Sequence, residues 1–397
     1  MAQTYPSPLR DPDVPARTAG TRRLLRTVQQ TRTEPITAEW ADVLLRVPRD
    51  AFLPDEVWLR DGDCGYVPCD RRQDPDGWMA AAYSDAPLVT QFVTESDGTR
   101  SPSSSASMPS MVLRLLEDAE LGPGARTLEI GTGSGYNTAL LCARLGDGPV
   151  TSVEVDAPLA DRARENLAAL SYSPAVIATD GANGWLRHAP YDRILATCSV
   201  RSVPASWLEQ TAPGGRIVTP WDSAWCGYGT LRLTKLQDGR AEGTFAAYGS
   251  YMLINGQRTD VELFRDVLRE GQTPDTGATA LSPWSVAGAD PALDFRLGLT
   301  VPGAWYSWDT ECADAHVRLW IADTTATSWA SVDYDGRQSE TFRTAQYGPR
   351  RLWDEIHASY DRWTETGRPA VGRYGLTVTP EGQTAWLDSP DTPVAPP

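Results

Sequence analysis

The sequence predicts an α/β fold in which a mostly parallel, doubly wound sheet is followed by a smaller α+β region. Three observations lead to this prediction. Short apolar stretches alternate with helix-like stretches between about residues 126 and 220, a pattern typical of parallel sheets covered on both faces. A glycine-rich turn lies between the first of these strands and the next helix. Beyond about residue 270 the chain becomes rich in turn formers and then in tryptophan.

The N-terminal third precedes this sheet. Residues 1–32 contain six arginines and few large apolar groups, which predicts a basic, mostly disordered arm. Residues 33–125 are predicted to form a region of helices and one serine-rich loop. In it, ITAEWADVLLRV and the segment 108–121 have helical spacing, and SPSSSASMP, residues 101–109, has the composition of a loop.

The sheet and its helices are predicted over residues 126–265. The strands are ARTLEIG, VTSVEV, AVIATD, YDRILATC and GRIVTPW, and the helices are TALLCARLG, APLADRARENLAAL and VPASWLEQ. The stretch TLRLTKLQDGRAEGTFAAYGSYM then predicts a hairpin at the sheet edge. Turn-forming residues predict a linker over 266–285. Residues 286–397, with HVRLWIAD, TSWASVDYD and the helix RRLWDEIHASYDRWTETG, are predicted to form a separate C-terminal domain.

Composition excludes several classes of partner. The net charge of −16 and the pI of about 4.7 argue against a nucleic acid or an anionic membrane as the main partner, because both require clustered positive charge. The sequence contains neither a long apolar span nor an apolar signal core, so we expect a cytoplasmic protein. The six cysteines are widely spread, and Cys64 and Cys69 lack a second ligand pair. We therefore expect reduced thiols and no metal site.

The glycine-rich turn is the strongest indication of a ligand. Gly131, Gly133 and Gly135 in EIGTGSG follow a strand and precede a helix, so the backbone can turn tightly and approach a ligand closely. A dinucleotide fingerprint would require glycine at the position of Tyr136. The GxGxG spacing, with Glu129 just before it and Thr132 within it, instead favours S-adenosylmethionine.

Two further acidic residues fit this cofactor. Glu154 ends the strand TSVE, and Asp180 with Gly181 follows the strand AVIAT. Ligands of open α/β sheets bind at such strand ends. Glu154 can accept hydrogen bonds from the two ribose hydroxyls, and Asp180 can accept one from the adenine amino group. Taken singly, each acid is also compatible with a helix cap or a solvated charge.

A series of motifs extends over about residues 40–225: VPRDAFLP, AYSDAPL, SASMPSM, LEIGTGSGYNTALL, ATDG, APYDRILATC and PGGRIVTP. In these motifs the chain resembles the protein-L-isoaspartate O-methyltransferase family, whose members have the class I methyltransferase fold. The resemblance implies that the substrate-binding serine of the family is Ser107 and that the aspartate of its Asp-x-Pro element is Asp85. The implied reaction is transfer of a methyl group from S-adenosylmethionine to a carboxylate, leaving S-adenosylhomocysteine.

The chain departs from compact repair enzymes in three regions, and these departures indicate one subgroup of the family. CGYVPCDRRQDPDGWM, the long VTQFVTESDGTRSPSSS and the C-terminal region are additions. This layout is similar to the methyltransferases of ribosomally made, modified peptides, including lanthipeptides and graspetides. That resemblance implies an aspartate acceptor in a precursor peptide already cyclised by a partner enzyme, and an ester that closes to an aspartimide and can hydrolyse to isoaspartate. The C-terminal domain would recognise the peptide, and the arginine pair is preferred to any single tryptophan. The candidate residues are Trp305, Trp308, Trp320, Trp329, Arg350 and Arg351.

Three functions remain open from the sequence. The leading hypothesis is a peptide aspartate methyltransferase of a natural-product pathway. The first alternative is an isoaspartate repair enzyme with an added domain, which would share all the cofactor residues. The second is a catalytically idle module that binds the cofactor and acts as a scaffold.

Overall fold

The computed structural model describes residues 14–32, 34–62, 65–95, 98–337 and 340–394. Within the chain, contacts define two compact units, Met1–His188 and Ala189–Pro397. The α/β class is confirmed: parallel strands alternate with helices after residue 126, and further antiparallel sheets accompany them.

The first unit opens with two helices, α1 (Val14–Gln30) and α2 (Ala38–Arg46). On α1, Leu24 and Val28 are buried, each with 2% of its surface exposed. The expectation of a disordered arm is therefore wrong for the described residues 14–32, because the few apolar groups of this segment recur at helical spacing and pack as one face. Residues 1–13 lie outside the described part of the chain.

Four strands and a helix follow α2 and form an antiparallel sheet. The elements are β1 (Glu56–Asp61), β2 (Gly65–Asp70), α3 (Pro75–Ala82), β3 (Leu88–Thr94) and β4 (Arg100–Ala106). The order in the sheet is β2-β1-β3-β4.

The strand β4 contains most of the serine-rich segment that the sequence predicts as a loop. Leu88 pairs with Ala106, and Val93 pairs with Ser101. The prediction was wrong because the apolar strand β3 supplies a pairing partner, and backbone pairing overrides the weak strand preference of serine.

The parallel strands lie in the expected places. The elements are α4 (Pro109–Asp118), β5 (Thr127–Ile130), α5 (Tyr136–Leu145), β6 (Val150–Glu154), α6 (Ala157–Ala169) and β7 (Ala175–Ala178). In the parallel pairs, Glu129 lies opposite Ser152 and Glu154 lies opposite Ala178. The candidate acids therefore stand at or near the carboxyl ends of adjacent strands.

The second unit begins with a continuation of the α/β pattern. Its first elements are β8 (Tyr191–Ala196), α7 (Ala205–Gln210), β9 (Thr211–Pro220), β10 (Thr230–Lys235) and β11 (Ala241–Ala246). Strands β8 and β9 are parallel, and β10 pairs antiparallel with both β9 and β11.

A five-stranded antiparallel sheet and a final hairpin complete the second unit. The remaining elements are β12 (Asp275–Thr279), α8 (Pro291–Thr300), β13 (Ala304–Asp309), β14 (Val317–Asp323), β15 (Trp329–Tyr334), β16 (Phe342–Tyr347), α9 (Leu352–Glu365), β17 (Tyr374–Thr379) and β18 (Gly382–Leu387). The sheet has the order β12-β16-β15-β14-β13.

Two expectations about this region need correction. The predicted linker 266–285 contains β12, which pairs with β16 along its whole length, so the segment belongs to a sheet. The hairpin β10–β11 does not end its sheet, because β17 pairs with β11. The residues after 286 thus share backbone pairing with the strands before 265 and are not a separate domain. Among the described residues, no helix combines the length and apolarity that crossing a bilayer requires.

Candidate active site

The glycine-rich turn connects β5 to α5. Gly131, Gly133 and Gly135 have φ values of +92°, +54° and +94°, in the region that favours glycine because residues with a Cβ are strained there. The amides of Gly131 and Thr132 donate to the Val153 carbonyl at 2.9 and 3.1 Å. A Cβ placed on Gly133 would meet nothing within 4 Å. The turn is therefore anchored on one side and open on the other.

Glu129 lies under this turn and is completely buried. Its carboxylate accepts hydrogen bonds from Asn137 Nδ2 at 2.7 Å, Thr138 Oγ1 at 2.5 Å and Ser152 Oγ at 2.6 Å. Burial raises the pKa of Glu129 to about 7. The three hydrogen-bond donors oppose this rise, and the nearby Glu154 carboxylate adds to it. The assignment of Glu129 as a cofactor contact is therefore corrected: the side chain joins the turn to its neighbours and exposes no surface.

Thr132 also faces the interior. Thr132 is 4% exposed, and its Oγ1 lies 2.6 Å from Ser152 Oγ. Within the turn, only its backbone remains a candidate for contact with a cofactor. The assignment of Thr132 therefore stays a prediction for its backbone, because the spacing pattern does not show the direction of the side chain.

Glu154 closes the opposite side of the turn. Its Oε2 accepts from the Gly133 amide at 2.8 Å, and its Oε1 accepts from the Asp156 amide at 3.1 Å. Burial raises the pKa of this carboxyl group, while the backbone amides that it binds lower it. Because each oxygen uses one lone pair within the protein, each retains capacity to accept from a ligand hydroxyl.

Asp180 and Gly181 follow β7. Asp180 is exposed and accepts from the Ala182 amide at 2.9 Å through Oδ1. Gly181 is buried, and a Cβ there would come within 2.5 Å of Ile130 Cγ2. Glycine is thus required for packing under β5, whereas Asp180 presents a carboxylate to the outside. These features fit an adenosine: open space beside Gly133 and hydrogen-bond acceptors at two strand ends.

The predicted acceptor residues have different roles. Asp85 Oδ1 accepts from the Ser110 amide at 2.8 Å, in the first turn of α4. Its carboxylate thus caps a helix and fixes the segment that carries Ser107, while its assignment as a catalytic residue stays a prediction. Ser107 is half-buried between β4 and α4, and within the described residues its hydroxyl has no hydrogen-bond partner.

Arg49 is the organising residue of the acceptor side, and sequence reasoning did not single it out. Its side chain is 1% exposed, and its two terminal nitrogens donate to five carbonyl oxygens at 3.0–3.2 Å. These carbonyls belong to Ala82, Ser84, Ala86, Ala106 and Ser107. Burial lowers its pKa to about 10, so the guanidinium is still protonated at neutral pH. Its only signal in the sequence was a charged residue inside the apolar stretch VPRDAFLP.

A second set of hydrogen bonds connects α1 to the segment that Arg49 holds. Asp50 is 2% exposed and accepts from Tyr83 Oη at 2.6 Å and from Arg17 Nε at 2.8 Å. Tyr83 in turn stands next to the segment that Arg49 holds. The basic residues of the N-terminal segment therefore serve at least partly as internal partners of this region.

One side-chain contact connects the acceptor sheet to the cofactor strands. Gln91 of β3 donates from Nε2 to Asp156 Oδ2 at 3.0 Å. Asp156 caps α6 through the Leu159 amide, and its own amide donates to Glu154. A bulge in the pairing of β3 with β4 occurs at Gln91, which turns this side chain out of the regular alternation.

The described residues contain no group of three or more potential metal ligands. Cys69 is half-buried, and burial raises the pKa of its thiol; Cys64 lies outside the described residues. Of the histidines, His188 Nδ1 lies 2.8 Å from Thr151 Oγ1, and His316 and His357 lie in the second unit.

Comparison with known proteins agrees with this geometry. A family model described as protein-L-isoaspartate(D-aspartate) O-methyltransferase (PCMT) matches residues 69–255. A protein-L-isoaspartate O-methyltransferase of Ignicoccus hospitalis is 34% identical over 184 residues, which are 46% of this chain and 72% of that protein. One of Methanopyrus kandleri is 36% identical over 183 residues, 45% of this chain and 67% of that protein.

A solved structure described as a protein-L-isoaspartate O-methyltransferase aligns with a TM-score of 0.53 at 20% identity, covering 93% of this chain and 100% of that one. At this identity the likeness shows the fold alone. The sequence relatives, most of whose length is covered, show the family. The chain belongs to the protein-L-isoaspartate O-methyltransferase family, and it is an S-adenosylmethionine-dependent carboxyl O-methyltransferase.

Proposed function

We propose that this chain esterifies the side-chain carboxylate of an aspartate in a ribosomally made, modified peptide. The observation that carries the proposal is the position of Ser107. Its hydroxyl has no partner within the described residues, while Arg49 and Asp85 fix the backbone on both sides of it. A preorganised hydroxyl of this kind can donate to a carboxylate and orient it.

The chemistry requires little more than positioning. A side-chain carboxyl group has a pKa near 4, so it is ionised and nucleophilic at neutral pH without a general base. When bound, S-adenosylmethionine supplies an electrophilic methyl group and leaves as S-adenosylhomocysteine. The residues of this chain hold the two reactants in line, and such orientation accounts for most of the rate enhancement.

The carboxylates on the cofactor side also favour a cationic ligand. Glu154 and Asp180 are acceptors that face the adenosine in the proposed complex, and neither contacts an arginine or lysine within the described residues. A ligand with a positive sulfonium centre is attracted to such a site, whereas a second phosphate would be repelled. We assign the two ribose hydroxyls to Glu154 and the adenine amino group to Asp180.

The added parts of the chain offer a surface on which a peptide acceptor larger than one damaged residue can bind. The matched relatives account for less than half of the chain. In the second unit, Trp284 is 46% exposed and stacks on Trp308 with ring centroids 4.2 Å apart. This pair could provide a binding surface for a folded peptide.

The other residues expected to recognise the peptide are engaged within the protein. Arg350 pairs with Glu355, and Arg351 pairs with Asp275. Trp320 and Trp329 are 8% and 6% exposed and belong to a core cluster. The preference for the arginine pair over the tryptophans is therefore replaced by a preference for Trp284 and Trp308.

The second candidate is repair of isoaspartyl residues in damaged proteins. It is favoured by the names of the sequence relatives. The solved structure described above shares the fold over 93% of this chain. The additional strands of the second unit are thus compatible with both functions. The two candidates differ in the acceptor: normal aspartate in a constrained peptide, or isoaspartate in any accessible chain.

The test compares acceptors in one assay. The protein is incubated with S-adenosylmethionine and, separately, with a cyclised precursor peptide, a linear isoaspartyl peptide and its aspartyl counterpart, and masses are followed. Gain of a methyl group and later loss of methanol on the cyclised peptide alone supports the first candidate. Ester formed only on the isoaspartyl peptide supports repair. Cofactor binding without transfer to any acceptor would point to the idle scaffold.

A further inference from the structure

We propose that an extended segment of the acceptor peptide pairs with the outer edge of β4, defined as the edge that faces away from β3, and extends the antiparallel sheet by one strand. The inference rests on the proposed peptide methyltransferase function. Strand β4 is the last strand in the order β2-β1-β3-β4. Within the described residues, no strand pairs with its outer edge, which therefore presents unpaired backbone amides and carbonyls.

The position of this edge relative to Ser107 is the main argument. Strand β4 ends at Ala106 and is followed at once by Ser107. Arg49 holds both carbonyls, at 3.2 and 3.0 Å, so the strand and the serine form one rigid segment. A peptide that pairs with β4 is thereby led past Ser107, where its carboxylate side chain can be held.

The side chains of β4 suit a docked backbone. Between Arg100 and Ala106 the residues are serines and one proline, and most are half-buried. Small side chains leave room for those of an added strand, and proline within a sheet is characteristic of edge strands. A seven-residue strand spans roughly 23 Å, enough to pair with a peptide of similar length.

The chemistry of the reaction indicates which molecule pairs with the outer edge of β4. The acceptor of a protein carboxyl methyltransferase is a polypeptide, and pairing through backbone atoms tolerates many side chains. The opposite edge strand of the same sheet, β2, leads to Arg71 and α3, and none of the acceptor residues adjoins it. A second copy of this chain is the competing occupant, and the test below separates it from the peptide.

Hydrogen exchange tests the proposal without relying on turnover. The full-length protein with S-adenosylhomocysteine is mixed with the acceptor peptide that is methylated in the assay above. Exchange of the amides of residues 100–106 should slow by roughly tenfold, whereas residues 65–70 of β2 should be unaffected. Equal protection of both edges, or of neither, would overturn the proposal. Protection of 100–106 without peptide that increases with protein concentration would identify a second copy instead.

A scan of the peptide backbone gives an independent result. Single N-methyl groups are introduced, one position at a time, along the peptide that is methylated in the assay above, and KM and kcat are measured. Because alternate amides of a strand face its partner, N-methylation should raise the peptide KM at every second position, with little effect in between. A smooth dependence on position would contradict strand pairing.

The two experiments also separate this inference from the function on which it rests. If none of the peptides is methylated, the proposed function fails and strand pairing fails with it. If transfer occurs without alternation in KM and without protection of residues 100–106, only strand pairing is overturned.

Discussion

The cofactor side and the acceptor side of the first unit are built in different ways. On the cofactor side, the glycine turn follows β5, Glu154 ends β6 and Asp180 lies two residues after β7. The polar contacts there run between adjacent strand ends. On the acceptor side, Ser107 is fixed by Arg49, which lies 58 residues earlier in the chain. A site at strand ends follows from local sequence, whereas a site held by one distant side chain does not.

The two sides also differ in buried charge. The cofactor side buries the carboxyl groups of Glu129 and Glu154, whose pKa values are raised by burial. The acceptor side buries the guanidinium of Arg49, which binds backbone carbonyls and has its pKa lowered by burial. Because Glu129 exposes no surface, only Glu154 and Asp180 can face a cationic donor, and on the acceptor side the positive charge of Arg49 holds backbone carbonyls.

Replacement of Arg49 should have the largest effect. Arg49→Met keeps much of the volume but leaves five carbonyls without their donor, and we expect a loss of about 3–5 kcal/mol in the free energy of unfolding. Urea denaturation measures it. Arg49→Lys, with three donors on one nitrogen, should recover only part of the loss. If Arg49→Met is as stable as the wild type, the five hydrogen bonds of Arg49 are not needed for the stability of the fold.

Replacement of Glu129 should have the next largest effect on the free energy of unfolding, and this effect depends on pH. The pKa of Glu129 is about 7 in the folded protein and 4.5 in a model compound. Between these values the folded state holds a proton that the unfolded state lacks, so stability falls as pH rises from about 4.5 to 7, on the order of 3 kcal/mol in total. Glu129→Gln should remove this dependence in urea denaturation of cofactor-free protein.

The control for this prediction is Glu165→Gln on α6, whose side chain is 73% exposed. It should retain the pH dependence of the wild type. If Glu129→Gln and wild type lose stability in parallel between pH 4.5 and 7, the carboxyl group is ionised throughout and our account of its burial is incorrect.

Asp180 tests the cofactor side alone. Its exposed carboxylate makes one hydrogen bond, to the Ala182 amide, and the remaining acceptor positions are assigned to the adenine. Asp180→Ala should raise the Kd of S-adenosylmethionine roughly tenfold in calorimetry, and Asp180→Asn, which retains an acceptor oxygen, should raise it less. An unchanged Kd in the alanine variant would place the adenine elsewhere.

Much of the fold and of the cofactor side could be predicted from the sequence. The GxGxG spacing, the strand before it and the acids Glu154 and Asp180 are local features, and the structure places them at adjacent strand ends. The burial of Glu129 was not predictable, because it depends on where Asn137, Thr138 and Ser152 come to lie. Direction of a side chain is set by packing, which a spacing pattern does not encode.

The acceptor side shows a different limit. Serine-rich composition favours a loop, yet β4 forms because β3 lies beside it. Asp85 matched a family element, and its carboxylate also caps a helix, which the motif alone does not indicate. The loop prediction failed because it treated as local a segment whose conformation is determined by distant partners. The same holds for α1, whose apolar face needs the rest of the unit.

Ser107 tests the acceptor side alone. Ser107→Ala removes the hydroxyl that would orient the carboxylate, and we expect methyl transfer to fall roughly tenfold, with an unchanged Kd for S-adenosylmethionine. Single-turnover rates and calorimetry measure the two quantities. Ser107→Thr keeps a hydroxyl and should restore part of the rate. Full activity of the alanine variant would mean that another group holds the acceptor.

The smallest effect is expected at Gln91, the contact that joins the two sides. Gln91→Leu removes the hydrogen bond to Asp156 Oδ2, and because this bond is only partly buried, its loss should cost less than about 1 kcal/mol. Asp156 still caps α6, so the Kd of S-adenosylmethionine in the free enzyme should hardly change. What should weaken is the coupling between cofactor and peptide.

That coupling is measured as the ratio of the S-adenosylhomocysteine Kd without and with saturating peptide, and a two- to threefold drop in the ratio is about what the bond can account for. Gln91→Glu sharpens the test, because a carboxylate facing Asp156 should repel it and lower the ratio further. If both variants show the wild-type ratio, the hydrogen bond between Gln91 and Asp156 does not carry the coupling between the two sides.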